Sequence, residues 1–362
     1  MSRTVIYTGD IFRLQRRGGI TRYFLEVMRR LARPFEVAAG LHQSAVLDTA
    51  AVPARAAIRL GAFVGSRRLR ELPNRLLDRA LVGGRRGVIV HPTYYRDPRG
   101  LPSGEPVVAT VFDMAHERLP GFFARRWWSS PDPARAKAAL CARADAIVCI
   151  SQSTRNDLAE LIPAAVAKAR VIPCGAPSWE GVAAEPIPGV RAPFLLWVGE
   201  RRGYKNFDRA LEAWARAAHG TMLVCVGGGA LDADERARIA RLGREHRVLQ
   251  VACPDGQLRW AYQNASCLLY LSLYEGFGIP LAEAMTLGCP LVASDIAVFR
   301  EVAGEVAIYV DPSDVESIAA GLEQVLAVGR TAERSRSLAD QVARFSWDDC
   351  AAAHEALYRE LE

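Results

Sequence analysis

Short, continuous apolar runs recur along the chain, each closed by a glycine or polar turn and followed by apolar positions at helical spacing. In the first half the runs fall at 4–7, 35–39, 87–90, 107–112, 146–151 and 171–174. In the second half they fall at 194–198, 222–226, 248–252, 267–271, 291–293 and 307–310. Runs without polar alternation suit strands covered on both faces, as in a parallel sheet. Helices read from 134 to 143, 235 to 242 and 315 to 328, and a last one, preceded by Phe345-Ser346-Trp347-Asp348, runs to about 361. The alternation predicts an α/β fold of two Rossmann-like, doubly wound parallel sheets with right-handed crossovers.

A chain of 362 residues is long enough for two domains of ordinary size. Residues 176–193 are rich in Gly, Pro and Ala, with Pro177, Pro186, Pro188 and Pro193, and form the expected linker. The expected division is 1–175, 194–345 and a terminal helical segment, 346–362.

Charge changes this picture in one respect. The net charge is +6, but residues 1–175 carry 28 Lys and Arg against 14 Asp and Glu, whereas 176–362 carry 18 against 26. A basic half suggests an anionic partner there. Arginines crowd 53–86, among them Arg75 and Arg79, with Leu69, Leu72, Leu76, Leu77, Ala80 and Leu81 near helical spacing. Pro73 predicts a helix starting at 73 or 74. That helix reads either as one lying on an anionic membrane surface or as a core-facing helix with solvated arginines. Phe122-Phe123-Ala-Arg125-Arg126-Trp127-Trp128 sets aromatics beside cations, which suits a membrane interface, a bulky amphipathic acceptor or a core corner.

The eight cysteines are scattered without Cys-x-x-Cys spacing and read as buried thiols of a reducing compartment. No apolar stretch reaches the roughly 18 residues of a spanning helix, and the first residues read as a strand. The expected location is cytoplasmic.

The densest chemistry lies in Tyr270-Leu-Ser-Leu-Tyr-Glu275-Gly276-Phe277-Gly278-Ile279-Pro280-Leu281-Ala-Glu283. Gly276 and Gly278 allow a tight turn and close approach by a ligand. Pro280 suits the first helical turn. Free amides at the positive end of a helix dipole make an anion site fit for a diphosphate. Glu275 and Glu283 can border the same site, and a carboxylate beside phosphate has hydroxyls as its natural partners. An anion cradle with hydroxyl acceptors describes a nucleotide sugar better than a bare nucleotide. Upstream, Gly199-Glu-Arg201-Arg202-Gly-Tyr-Lys205-Asn206 puts Arg and Lys in a glycine loop before a helix, an arrangement able to clamp a diphosphate. Asp232-Ala-Asp234 has the spacing of a metal pair but opens a helix, and reads as a cap.

Glu275, seven intervening residues and Glu283, with Gly-Phe-Gly-Ile-Pro between them, resemble the family-4 retaining glycosyltransferases of the GT-B fold. The continuation 284–294, Glu301-Val-Ala-Gly304 and Val310-Asp-Pro312 are similar to that family as well. The resemblance implies two domains facing a cleft, with the terminal helix crossing back to the first. It implies that Glu275 meets the donor sugar, that Glu283 holds the ribose, and that Gly276, Phe277, Gly278, Ile279, Pro280 and Leu281 line phosphate and sugar. It implies Arg201 and Lys205, in the loop opened by Gly199, as the clamp on the leaving diphosphate. Gly18 and Gly19 resemble the family's first glycine loop against the donor, and read equally as a plain turn. Asp113-Met-Ala-His116 resembles a family segment usually opened by a His-Asp pair. Here Phe112 replaces that histidine, which leaves Asp113 and, as the nearest titratable substitute, His116.

The implied reaction moves a mannose-like hexose, with a lean to a GDP-linked donor, to a saccharide or lipid-linked acceptor in surface-polysaccharide assembly. Retention at the anomeric carbon is expected, with no metal or other cofactor. The implied partners are a nucleotide-sugar donor, that acceptor, and an anionic membrane touching the basic half. The chain has no recognisable nucleic-acid module. A GT-B nucleotide-sugar epimerase and a non-catalytic nucleotide-sugar binding protein are the alternatives.

Overall fold

The structure, a computed structural model of the chain, describes residues 2–16, 18–47, 52–55, 57–59, 67–123 and 132–362, the side chains of 67–72 excepted. Arg125 to Trp128 of the aromatic–cation cluster, and the side chains of Leu69 and Leu72, lie outside the described residues. The chain divides into two compact units, 1–175 with 345–362, and 176–344.

The first unit holds β1 (Thr4–Thr8), β2 (Phe35–Ala38), β3 (Leu41–His42), β4 (Ala54–Arg55), β5 (Ile58–Arg59), β6 (Val88–His91), β7 (Val108–Val111), β8 (Ala146–Cys149) and β9 (Ala169–Val171). They pair in parallel as β4-β2-β1-β6 and β7-β8-β9, with Val90 bridging to Val107, and β3 pairs with β5. Five of the six apolar runs became β1, β2, β6, β7 and β8, whereas the run 171–174 meets β9 only at Val171. The two-residue strands β3 to β5 had no apolar run to announce them.

The second unit is one parallel sheet of β10 (Phe194–Val198), β11 (Met222–Val226), β12 (Val248–Val251), β13 (Cys267–Tyr270), β14 (Leu291–Ser294) and β15 (Ile308–Val310). Its order is β12-β11-β10-β13-β14-β15. The winding reverses between β10 and β13, and in open α/β sheets ligands bind outside the carboxyl ends of the strands at such a reversal. Trp197, Phe207, Leu211, Trp214, Leu223, Leu269 and Leu322 form part of the core under this sheet.

Two local expectations need correction. Residues 176–193, expected as a linker, pack on the second unit. Trp179 and Ile187 are buried, the Glu185 amide donates to the Gly256 carbonyl at 3.1 Å, and Arg259 Nη1 donates to the Trp179 carbonyl at 2.9 Å. A segment without a strand or helix of its own needs such outside partners for its backbone.

The arginine-rich helix does not start at Pro73; it spans Arg67–Asp78 with Pro73 inside and continues as a π-turn, Arg79–Gly83. Among its described side chains the buried ones are Asn74, Asp78 and Val82, and Leu76 is 63% exposed. The Asn74 side chain accepts from the Leu41 amide at 2.8 Å and donates to the Leu41 carbonyl at 3.0 Å. Asp78 takes a bidentate pair from Arg13 at 2.7 and 3.0 Å and a further bond from Arg96 at 3.0 Å. These polar anchors, absent from any apolar pattern, decide which face turns inward.

The terminal helix, Trp347–Glu360, packs within the first unit. A Cβ at Gly175 would stand 2.3 Å from the Trp347 amide, so only glycine fits there. His354 Nδ1 donates to the Cys350 carbonyl at 2.8 Å, which leaves Nε2 to accept from the Tyr23 hydroxyl at 3.1 Å. Tyr358 meets Tyr7 at 2.8 Å and His91 Nδ1 at 2.7 Å, and His91 Nε2 meets Thr110 at 2.8 Å. Arg33 pairs with Glu355 at 2.8 Å.

Burial holds His354 down at about 4 and His91 well below the ordinary histidine value. A histidine depressed in the folded state stabilises the fold above its unfolded value, near 6.5, and that stability is lost as pH falls towards the folded value. His354 alone is expected to remove about 2 kcal/mol between pH 7 and pH 5. Urea unfolding at the two pH values measures it, and His354→Gln should flatten the difference. An unchanged difference in the variant would count against this account.

The cysteines are all free thiols, seven buried and Cys253 half-buried. Among the described residues no helix is long and apolar enough to cross a membrane.

Candidate active site

The loop leaving β10 and the loop leaving β13 both sit at the strand reversal of the second unit. Gly199 takes φ +108°, and its amide bonds the Val226 carbonyl at 2.9 Å. The chain then makes a short 3-10 turn, Gly203–Lys205, and Asn206 follows in the left-handed region at φ +66°. Asn206 is held there by its side chain, which donates to the Pro312 carbonyl at 2.7 Å. The Leu273 amide donates to the Tyr204 carbonyl at 2.8 Å and ties the two loops together. Lys205 and Glu275, seventy residues apart in sequence, consequently meet at 2.5 Å.

Three donors converge on one carboxylate oxygen. Glu275 Oε1 accepts from Lys205 Nζ at 2.5 Å, from the Tyr270 hydroxyl at 2.9 Å and from Ser272 Oγ at 2.7 Å. Burial, and then the Glu275 charge, push the Tyr270 phenol well above its usual range, so it stays a donor. Glu275 Oε2 has no hydrogen-bond partner among the described residues. The second carboxylate, Glu283, is buried in the helix Ile279–Thr286, and its Oε2 accepts from the Tyr262 hydroxyl at 2.8 Å.

Gly278 caps that helix at φ +99°, and a Cβ there would stand 3.2 Å from Phe299 and 3.3 Å from Leu281. Conformation favours glycine here, and a Cβ would also crowd those two side chains. Pro280 lies in the first turn as expected, Ile279 precedes it, and Phe277 and Leu281 are buried beneath. The chain between Glu275 and Glu283 thus runs through a turn into a helix N-terminus, where amides and dipole favour an anion.

Arg201 departs from its expected role. It is 4% exposed and paired with Glu235, Nε to Oε1 at 2.9 Å. Its terminal nitrogens donate to the carbonyls of Gly227 and Gly229, each at 2.9 Å, and of Ala230 at 3.3 Å. Gly227, Gly228 and Gly229 all have positive φ, and the turn they make aims its carbonyls at this one guanidinium. Arg201 therefore closes the loop after β11, while Arg202 is exposed and pairs with Asp232 at 3.1 Å. Asp232 is the cap it was expected to be: it accepts from the Glu235 amide at 2.8 Å, and Glu235 returns the bond to the Asp232 amide at 2.8 Å.

In the first unit, Asp113 and His116 share the loop at the carboxyl end of β7. Asp113 Oδ1 accepts from the Ala115 amide at 2.9 Å, a turn-forming contact. His116 lies against Phe123, ring centroids 4.4 Å apart, and its Nδ1 is buried without a partner among the described residues. Burial lowers its pKa, favouring the neutral ring. The loop is held from below by Lys137, fully buried, which donates to the Asp113 carbonyl and to Glu117, both at 2.7 Å. Gly18 is extended at φ 176° and Gly19 begins the helix Gly19–Met28, but a short helix, Asp10–Leu14, comes between β1 and the glycine pair.

Sequence reasoning missed Tyr270, Ser272, Tyr262, Lys137 and Glu235. Three of these left a signal. Tyr270 and Ser272 are two apart in extended chain, hence on one face. Lys137 stands on the same helix face as buried Leu140 and Cys141, an unusual place for a cation.

Two parallel α/β units, the second with its strand order reversed at the paired loops, define the GT-B class of fold. The family model described as Glycosyl transferases group 1 matches residues 186–341, and that described as Glycosyltransferase Family 4 matches 17–178. The chain belongs to the family-4 glycosyltransferases of the GT-B fold. O-antigen chain mannosyltransferase B of Escherichia coli is 32% identical over 165 residues, 43% of this chain and 43% of that one. Glycogen synthase of Mycobacterium tuberculosis is 29% identical over 233 residues, 60% and 55% of the two. The chain spans less than two thirds of the length of the curated relatives it matches. Among solved structures, sucrose-phosphate synthase from Thermosynechococcus elongatus superposes with a TM-score of 0.73 at 18% identity, over 99% of both chains. HepE of Anabaena, in complex with UDP and glucose, gives 0.72 at 17%, over 99% and 98%. At these identities the likeness is one of fold.

Proposed function

We propose that this chain transfers a mannose-like hexose from a nucleotide diphosphate sugar to a saccharide or lipid-linked saccharide acceptor, with retention and without a metal, in surface-polysaccharide assembly. One observation carries the reading: a cation and a carboxylate, Lys205 and Glu275, meet at the strand reversal beside a glycine-capped helix N-terminus. Lys205 and the amides of that turn stabilise the departing diphosphate, Glu275 orients the sugar, and Glu283 holds the ribose. Charge stabilisation on the leaving group supplies much of the rate. Asp113 and His116 belong to the acceptor side, where a neutral imidazole suits proton exchange near neutrality. The sugar and the pathway are supported by relatives named as mannosyltransferases: two O-antigen chain enzymes and MMP alpha-(1->4)-mannosyltransferase. GDP is the proposed nucleotide of the donor, and UDP is the competing arm of the test.

A panel of GDP, UDP and ADP, read by thermal shift, is the first measurement. At a hundredfold excess over Kd a ligand of the folded state adds about 2.7 kcal/mol of stability. GDP is expected to give the largest rise, and GDP-mannose transfer should then persist in a metal chelator, with product anomers assigned by NMR. No rise with any of the three would overturn the reading. Turnover of donor without any acceptor would point to an epimerase, and binding without turnover to a non-catalytic protein.

The acceptor side meets an anionic membrane through the arginine-rich helix. Arg75 and Arg79 are exposed, as are Leu76 and, on β5, Ile58, the two apolar ones at 63% and 56%. This pairs charge with apolar surface, as interfacial helices do. Each cation near such a surface contributes about 1 kcal/mol. Reversing both charges, Arg75→Glu with Arg79→Glu, should lower co-sedimentation with anionic vesicles by roughly tenfold or more. Transfer to a soluble acceptor should be unaltered. Unchanged co-sedimentation would remove the membrane from the account.

A further inference from the structure

The Lys205–Glu275 pair cannot stand as it is during the proposed reaction. Both groups have work elsewhere: the ammonium on the diphosphate, the carboxylate on the sugar. A donor that draws Lys205 to its phosphates leaves Glu275 without its charged partner. A carboxylate held by one lysine would then lose its orientation as the donor arrives.

We propose that Tyr270 and Ser272 are positioning residues for Glu275, gripping Oε1 after Lys205 has turned to the diphosphate and presenting Oε2 to a hydroxyl of the donor sugar. This rests on the donor-site reading above. Tyr270 is the last residue of β13, and Ser272 lies two residues on, before the glycine turn. Both hydroxyls donate to the same oxygen, at 2.9 and 2.7 Å, and neither has another partner among the described residues. Oε2 is left over. Tyr270 is itself fixed by a stacked contact with Phe299, ring centroids 5.0 Å apart. Ser272 is buried to 1%. Two hydroxyls on rigid, buried chain hold an ionised carboxylate at a set angle, because bonds to a charged acceptor are among the stronger ones. The lysine is the movable member of the three, with a long flexible stem.

The test uses Tyr270→Phe, Ser272→Ala and Ser272→Thr in the full chain, with nucleotide-sugar transfer and, separately, calorimetric binding of the nucleoside diphosphate. Tyr270→Phe keeps the ring against Phe299 and loses only the hydroxyl. Each loss of a hydroxyl should lower kcat/KM for transfer roughly ten- to a hundredfold. Affinity for the nucleoside diphosphate alone should stay within about twofold, since it has no sugar for Glu275 to meet. Ser272→Thr should restore most of the loss. In a Glu275→Ala background, Tyr270→Phe should weaken nucleotide-sugar binding no further, because the tyrosine acts through the carboxylate. Equal losses for diphosphate and nucleotide sugar, or an added loss in the Glu275→Ala background, would overturn the assignment. So would a wild type that needs Glu275 yet tolerates Tyr270→Phe with Ser272→Ala. A wild type that binds no nucleotide sugar would overturn the donor-site reading as well.

Discussion

Lys205→Ala is expected to lower kcat for sugar transfer by about two to three orders of magnitude, the scale of removing one preorganised charge from a developing anion. The leaving diphosphate gains negative charge as the sugar bond breaks, and Lys205 is the cation that the loop after β10 delivers to the strand reversal. Its effect should fall mainly on kcat, because the charge it meets is larger in the transition state than in the bound donor. Lys205→Arg should recover part of the rate, since it returns the charge on a wider, planar head. The fold should tolerate both changes: the pair with Glu275 is only partly buried, and Tyr270 and Ser272 still satisfy the carboxylate. Steady-state kinetics at saturating donor decide the matter. A loss smaller than tenfold would show that the diphosphate leaves without help from Lys205, and the mechanism would need another cation.

Arg201→Ala makes the opposite prediction, a loss of fold before a loss of chemistry. Removing one partner of a buried ion pair costs about 3–5 kcal/mol, because the other charge is left without compensation. Here Glu235 would keep only its capping bond from the Asp232 amide, the carbonyls of Gly229 and Ala230 would lose their donor, and that of Gly227 would keep only Gln250. That is a large share of a typical net stability of roughly 5–15 kcal/mol. Urea unfolding should therefore show a much lower midpoint. Arg201→Lys should not rescue it, since one ammonium cannot reach Glu235 and three carbonyls at once. If Arg201→Ala kept full stability and lost only kcat, the clamp first expected from its spacing would be the correct reading.

These two basic residues show where sequence reasoning reached and where it stopped. Arg201 and Lys205 sit four apart in one glycine loop, and spacing alone makes them a pair. Their separation came from elsewhere in the chain: Glu235 from the helix after β11, and three carbonyls from the turn that Gly227, Gly228 and Gly229 make at positive φ. The same limit governs the arginine-rich helix. Its leucine pattern suggested an apolar inward face, yet Asn74 and Asp78 point inward because Leu41, Arg13 and Arg96 wait for them. The segment 176–193 reads as a linker from its prolines, but Arg259 lies about eighty residues further on and binds its carbonyls. The convergence of Tyr270 and Ser272 on Glu275 was half visible, in their two-residue spacing.

By itself the sequence determined the parallel α/β character, most of the principal strands of each unit, the glycine turn at Gly278 and the capping role of Asp232. Each of these depends on local sterics, on apolar periodicity or on hydrogen bonds a few residues long, so neighbouring residues suffice to specify them. Only the tertiary structure decided that Lys205 meets Glu275, that Arg201 turns away to Glu235, and which face of the arginine-rich helix is covered. Those outcomes depend on which distant donor or acceptor a folded backbone brings within about 3 Å, a distance that no spacing along the chain encodes.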